Sequence, residues 1–257
     1  MREQRTAMNI LLTNDDGIYA DGILEAAEEL CLLGNVTVVA PSHEQSAVSS
    51  KITVHEPLRV NNVHISSKFK SYCVSGTPAD CVKLAIAELC DEKPDLVVSG
   101  INQGSNTGFN LIYSGTVAGA VEGMLNGIPS IAISLTSFLH KDFTLSRSFL
   151  SRIVPKVHAE GLPYHTLLNI NIPPVDKGKE VGVKWCKLSQ NRYIENFEKK
   201  LDPIGKPYYW LGGTKLEVDT SDEFDDVLIK KNYITIVPVK FEFNDSEVLN
   251  KLRKWEI

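Results

Sequence analysis

The sequence predicts an α/β fold: a mostly parallel sheet with helices on both faces, followed by a C-terminal β-hairpin or arm region. Three observations predict it. Short apolar runs alternate with segments of helical periodicity through the first two thirds of the chain. Each run stops at a polar or glycine-rich turn, as a strand buried on both faces does. After Pro173-Pro174 the alternation ends, and charged, aromatic segments punctuated by turns take over. The expected division is a core over residues 1–174 and a strand-rich arm, also an oligomerisation region, over residues 175–257.

Met8–Thr13 (MNILLT) is a short apolar run that reads as the first buried strand. Residues 21–33 carry Ile23, Leu24, Ala27 and Leu30 at helical spacing, and Gly34 ends them. Residues 35–40 (NVTVVA) are β-branched and stop at Pro41, which completes a strand–helix–strand unit. Residues 53–60 and 72–74 read as two further strands in a hairpin excursion. Residues 78–90 form a helix that Thr77-Pro78-Ala79-Asp80 starts: a Thr cap, Pro in the first position and an acid in the first turn. Residues 96–99 (LVVS) are the next strand, 116–126 a helix and 128–135 a strand. Thr144–Glu160 is a helix bent or broken at Pro155. Residues 167–172 (LLNINI) close the series. In the arm, residues 181–188, 207–211 and 233–239 read as short strands, and the acidic run 219–226 as a solvated loop. A long aromatic hairpin with little core of its own implies a partner surface, with a plain surface arm as the alternative.

Composition narrows the function. The 257 residues are 43% hydrophobic and 23% charged, the balance of an ordinary globule. The 27 Lys+Arg against 32 Asp+Glu leave a net charge of −5 and a pI near 5.7, which argues against nucleic acid as partner. No apolar run approaches the roughly 20 residues of a membrane span, and residues 1–13 lack the apolar core of a secretory signal. The five cysteines show no C-x-x-C spacing, so neither a disulfide framework nor a zinc site is expected. Reduced thiols and a cytoplasmic location are expected.

Ligands of an open parallel sheet bind beyond the carboxyl ends of its strands. The residues there are Thr13-Asn14-Asp15-Asp16-Gly17, the loop 41–46, the Gly-rich stretch 99–106, and Tyr113-Ser114-Gly115-Thr116 ahead of a helix. Asp15 and Asp16 are the strongest signal. Adjacent carboxylates at a buried strand end repel unless a cation or a proton neutralises them, and a divalent metal does so through oxygen ligands. The competing reading is an Asx turn in which Asp16-Gly17 caps the following helix. Ser46 and Asn102, added to the two carboxylates, make an all-oxygen set suited to magnesium, manganese or calcium. Ser114-Gly115-Thr116 offers N–H groups and hydroxyls to an anion, or is a plain helix cap. The nicotinamide fingerprint, the P-loop and the G-x-S-x-G elbow are absent. His43 alone among six histidines falls in a rim loop, as a surface residue or a proton carrier. Lys187, Arg192, Lys199 and Lys200 read as a solvated face, with a lean toward an anionic substrate as the alternative.

Five motifs in order resemble the SurE (survival protein E) family. They are Thr13-Asn14-Asp15-Asp16-Gly17-Ile18, Ala40-Pro41 followed by Ser46, Gly76-Thr77-Pro78-Ala79-Asp80-Cys81, Ser99-Gly100-Ile101-Asn102 with Gly104 and Asn106, and Ser114-Gly115-Thr116-Val117-Ala118-Gly119-Ala120. The aromatic stretch Lys206-Pro207-Tyr208-Tyr209-Trp210 extends the resemblance toward the C-terminus. Residues 1–7 precede the family's usual start, and Ala47-Val48-Ser49-Ser50 stands where the family often carries a glycine.

The resemblance implies a Rossmann-like core and a metal-dependent 5′/3′-nucleotidase acting on nucleoside monophosphates. One divalent metal ion per subunit, Mg or Mn with Ca able to occupy the site, would be held by Asp15, Asp16, Ser46 and Asn102. Asp15 and Asp16 would be catalytic. Asn102, Gly104, Ser114, Gly115 and Thr116 would meet the substrate phosphate. The arm would exchange between subunits of a homodimer or homotetramer, with no membrane partner. Water attack is expected over a covalent aspartyl-phosphate, because the adjacent acids differ from a D-x-D pattern. A metal-dependent deacylase and a non-catalytic nucleotide-binding stress protein are the alternatives.

Overall fold

The computed structural model describes residues 7–255. Its centre is a nine-stranded sheet in the order β3-β4-β2-β1-β5-β6-β7-β11-β8. The strands are β1 Met8–Thr13, β2 Gly34–Pro41, β3 Val60–Asn62, β4 Lys70–Val74, β5 Leu96–Gln103, β6 Ser130–Leu135, β7 Thr166–Ile172, β8 Gly182–Trp185 and β11 Tyr233–Lys240. From β4 to β7 every pairing is parallel; β3 and β11 join antiparallel at the two sides. A separate antiparallel pair, β9 Arg192–Leu201 and β10 Pro207–Leu216, forms the hairpin. The expected α/β architecture with a hairpin appendage is the observed one.

The central strands are apolar on both faces, and alternate residues feed two cores. Ile10 and Leu12 of β1 pack with Ile23 and Leu30 of α1 (Asp21–Leu30) and with Phe149 and Leu150 of α4 (Thr144–Glu160). Leu11, one residue out of phase, packs with Cys81 and Val82 of α2 (Pro78–Leu84). On that second face, α3 (Gly115–Leu125) sets Val117, Ala120, Val121 and Met124 against Ala132 and Leu167. Helices therefore cover both faces, and every loop at the carboxyl ends of β1, β2 and β5 reaches one rim.

Several elements differ from the sequence expectation for identifiable reasons. Residues 53–59 are not a strand, because the Thr53 N–H and hydroxyl are both spent on the Asp80 carboxylate at 2.9 and 2.7 Å. Helix α1 stops at Leu30, and Gly34 opens β2. Helix α2 ends at Leu84 and passes into a π-helical turn, Ala85–Leu89. Helix α4 runs unbroken through Pro155. Strand β9, and β10 beyond the expected residues 207–211, escape periodicity because the hairpin is exposed along nearly its whole length, so no burial alternation marks it. A 3₁₀ segment, Gly108–Tyr113, fills the loop between β5 and α3.

The acidic run is not a solvated loop throughout. Asp225 and Asp226 are buried at the start of α5 (Asp225–Lys230). Strands β8 and β11 belong to the main sheet and α5 packs on β11, so beyond Pro174 it is the hairpin that forms a separate sheet, and a last helix α6 (Ser246–Leu252) follows.

Candidate active site

Strand β1 ends at Thr13, and the chain turns at once. Asn14, fully buried, makes the turn: its Oδ1 accepts from the Gly17 N–H at 3.2 Å and its Nδ2 donates to the Gly17 carbonyl at 3.0 Å. Gly17 sits at φ +101, a conformation that L side chains rarely adopt. Helix α1 begins after Ala20 without a side-chain cap. The turn chemistry that competed for Asp16 is thus carried by Asn14, and both aspartates remain free to face the rim.

Asp15 is fixed from behind. The Thr116 hydroxyl donates to its Oδ1 at 2.6 Å, and the Gln45 N–H donates to its backbone carbonyl at 2.7 Å. A Cβ on Gly115 would lie 2.8 Å from the Asp15 Cβ, so only glycine lets α3 approach this closely. Asp16 Oδ2 accepts from the Gln103 N–H at 3.3 Å. The register of β5 against β6 shifts between Ser99 and Asn102, an irregularity of the kind that re-aims side chains beside active sites. Asn102 Nδ2 then donates to the Gly104 carbonyl at 2.8 Å, which leaves its Oδ1 as the available oxygen. The exposed Ser46 hydroxyl donates to Glu44, so its oxygen lone pairs stay open. Ser49 anchors this loop on the 3₁₀ segment through the Tyr113 and Ile112 carbonyls.

These residues surround a cleft of about 540 Å³ lined by Asp15, Asp16, Ser46, Asn102, Gly104 and Ser114, among others. Gly115 and Thr116 lie behind Asp15 and do not line it.

The sequence profile of the family described as "Survival protein SurE" matches residues 10–195. The chain belongs to the SurE family. It is 45% identical over 250 residues to the 5′-nucleotidase SurE of Thermoanaerobacter sp. (strain X514), covering 97% of this chain and 99% of that one. It is 46% identical over 252 residues to the 5′-nucleotidase SurE of Caldanaerobacter subterraneus subsp. tengcongensis, covering 97% and 98%. The crystal structure of the SurE protein from Aquifex aeolicus superposes with a TM-score of 0.83 at 37% identity, over 95% of this chain and 98% of that one.

In this SurE-family chain the cleft is strongly anionic. Asp15, Asp16, Asp21 and Glu44 line it, and no Lys, Arg or His does among the described residues. Burial pushes the Asp15 carboxyl up against the pull of the Thr116 hydrogen bonds. Asp16 is pushed up to about 6 by burial and by the neighbouring Asp15 charge, with the Gln103 N–H opposing. A buried and a half-buried carboxylate without a cationic side chain, set beside amide and hydroxyl oxygens, fit a hard divalent cation. Histidine and thiol ligands are not among the cleft residues, so the donor chemistry does not fit a zinc-selective site.

Of the weaker candidates, His43 lies outside the cleft and its Nδ1 meets the Ser42 hydroxyl at 2.9 Å. Lys187 pairs with Glu223 and Lys200 with Glu198. Sequence reading set Glu44 and Tyr113 in the rim loops without a role, and missed Asn110 and Phe138 as cleft residues. Glu44 was within reach, in the loop that carries Ser46. Asn110 and Phe138 were not, because neither the 3₁₀ segment nor the fold of the loop after β6 leaves a periodic signal.

Proposed function

We propose that the chain is a divalent-metal-dependent 5′-nucleotidase, a phosphomonoesterase that releases phosphate from nucleoside monophosphates. The observation that carries this reading is the pair Asp15–Asp16 facing Asn102 in an anionic cleft without a cationic side chain. The relatives named 5′-nucleotidase SurE support the same reading. A phosphate dianion entering four carboxylates is repelled unless a dication is present.

Asp15, Asp16, Asn102 and Ser46 would hold one magnesium or manganese ion per subunit, a site calcium can also occupy. Such an ion, when bound, polarises a phosphoryl oxygen and lowers the pKa of water. Thr116 and Gln103 fix the two carboxylates, so little side-chain freedom is lost when the site loads. Asn102, Gly104 and Ser114 on the cleft wall would receive the phosphate, with Gly115 and Thr116 setting Asp15 from the rear. Asp15 or Asp16 would orient the attacking water. In this reading the exposed aromatic hairpin pairs subunits into a dimer or tetramer in the cytoplasm.

Phosphate release from adenosine and guanosine monophosphates, with manganese or magnesium and with chelator, tests the reading. Metal-dependent turnover is expected. Nucleotide binding with no turnover above the chelated control would transfer the chain to the non-catalytic alternative, and zinc-selective amide hydrolysis to the deacylase.

A further inference from the structure

A second cavity, of about 520 Å³, lies between the 3₁₀ segment and the hairpin. It shares Asn110 and Tyr113 with the carboxylate cleft, so the two adjoin across these residues. Resting on the nucleotidase reading above, we propose that this cavity takes the nucleoside of the substrate, and that Arg192 is a substrate-binding residue that sets preference for nucleotides over small phosphate esters.

Four features point to a nucleobase. Phe109, Tyr113 and Tyr193 line the cavity with partly exposed rings. Stacking on such faces is open to every base, whatever its edge. Asn110, Arg192 and Glu195 supply donors and acceptors of both kinds, as base edges and a ribose require. The Glu195 carboxylate repels a phosphate, so the charged end of the ligand belongs in the neighbouring cleft with its cation. Among the described residues Arg192 has no ion-pair partner, unlike Lys187 and Lys200, which left it unresolved between a solvated face and an anionic substrate. Its planar guanidinium both stacks and donates in a fork.

The cavity is preformed. Phe109 N–H donates to the Asn191 carbonyl at 3.2 Å, which joins one wall to the other directly. Behind them, buried Asp226 accepts from Thr107, Ser189 and Asn191 at 2.7, 2.7 and 3.1 Å and pairs with Lys215 at 2.5 Å. Asp225 accepts from the Gly108 and Ser189 N–H groups. The acidic run that reads as a loop in the sequence thus clamps the base of the hairpin to the 3₁₀ segment. A ligand entering a built cavity loses less affinity to ordering of the protein.

The test compares adenosine 5′-monophosphate with glycerol phosphate, which has no ring, on the full chain with manganese. Arg192→Ala should lower kcat/KM for the nucleotide about tenfold more than for glycerol phosphate, with the loss in KM. Lys199→Ala, on the same strand and outside the cavity, should leave that ratio unchanged. Equal losses on both esters for Arg192→Ala, or no loss on either, overturn the proposal. Calorimetric titration with adenosine alone separates this proposal from the nucleotidase reading. If the wild-type protein hydrolyses neither ester, that reading falls; adenosine binding lost in Arg192→Ala still upholds the cavity, and binding absent from wild type or retained in the variant overturns it.

Discussion

Asp15 and Asp16 are neighbours in sequence but are held by different parts of the fold. The Thr116 hydroxyl grips Asp15 at 2.6 Å from the start of α3, and the Gln103 N–H reaches Asp16 from the end of β5. A partner that orients a metal-binding carboxylate contributes to affinity without touching the ion. Thr116→Val, nearly isosteric, should weaken manganese binding by about 10–100-fold in a calorimetric titration; unchanged affinity would show that Asp15 needs no such support. Asp16→Ala should reduce phosphate release by about 100-fold or more while the circular dichroism spectrum and melting temperature stay near wild type. Retained turnover would remove Asp16 from the chemistry. At this scale the sequence was legible where spacing isolates a residue type: two acids at a strand end stand out. It did not reveal that Asn14 takes over the turn, since D-D-G is itself an ordinary turn sequence and only the hydrogen bonds of Asn14 separate the two roles.

Helix α2 shows how one element serves the rim from a distance. Thr77 and Asp80 form a reciprocal capping box, and Asp80 also accepts from the N–H and hydroxyl of Thr53 in the segment that follows the Ser46 loop. Burial pushes the Asp80 carboxyl up, but the hydrogen bonds from Thr53 and Thr77 outweigh it and hold the group below the usual aspartate range. Asp80 therefore contributes stability in full above the unfolded-state pKa near ~4, and loses it as pH falls through the lower folded-state pKa. Asp80→Asn should cost roughly 1–3 kcal/mol at neutral pH. The gap in melting temperature between wild type and variant should persist to about pH 4 and narrow below it. A gap that stays constant down to pH 2 would refute the charge-based account. The Thr-Pro-Ala-Asp start of α2 was readable because a cap is local, whereas the bond from Asp80 to Thr53 spans 27 residues and cancels the strand that residues 53–60 suggest.

Across the whole molecule, β9 exposes Ile194 and Phe197, and β10 exposes Tyr208, Tyr209, Trp210 and Leu211. Monomeric proteins rarely leave so many large apolar side chains uncovered, and this exposure is what supports the proposal that the hairpin is an interface between subunits. Ile194 pairs with Thr214 across the hairpin, so replacing residues 195–213 with Asn-Gly would close it with a two-residue turn and keep Arg192, Tyr193 and Lys215. This variant should sediment as a monomer with the core sheet intact by circular dichroism; an unchanged oligomer would refute the interface role. Removing everything after Pro174 is the wrong cut, since it also strips β8 and β11 from the main sheet.

By itself the sequence determined the alternation of strand and helix, the parallel order this imposes, and the strand-end residues that meet at the rim. These follow from periodicity and local turn chemistry, which act over a few residues. Tertiary structure decided which carboxylate is gripped by which helix, that Asp225 and Asp226 are buried clamps, and that β11 returns to the main sheet beside β7. It also opened the cavity between the hairpin and the 3₁₀ segment. Those outcomes depend on contacts between residues far apart in the chain, and the burial that separates a clamp from a solvated acid exists only after the chain has closed around it.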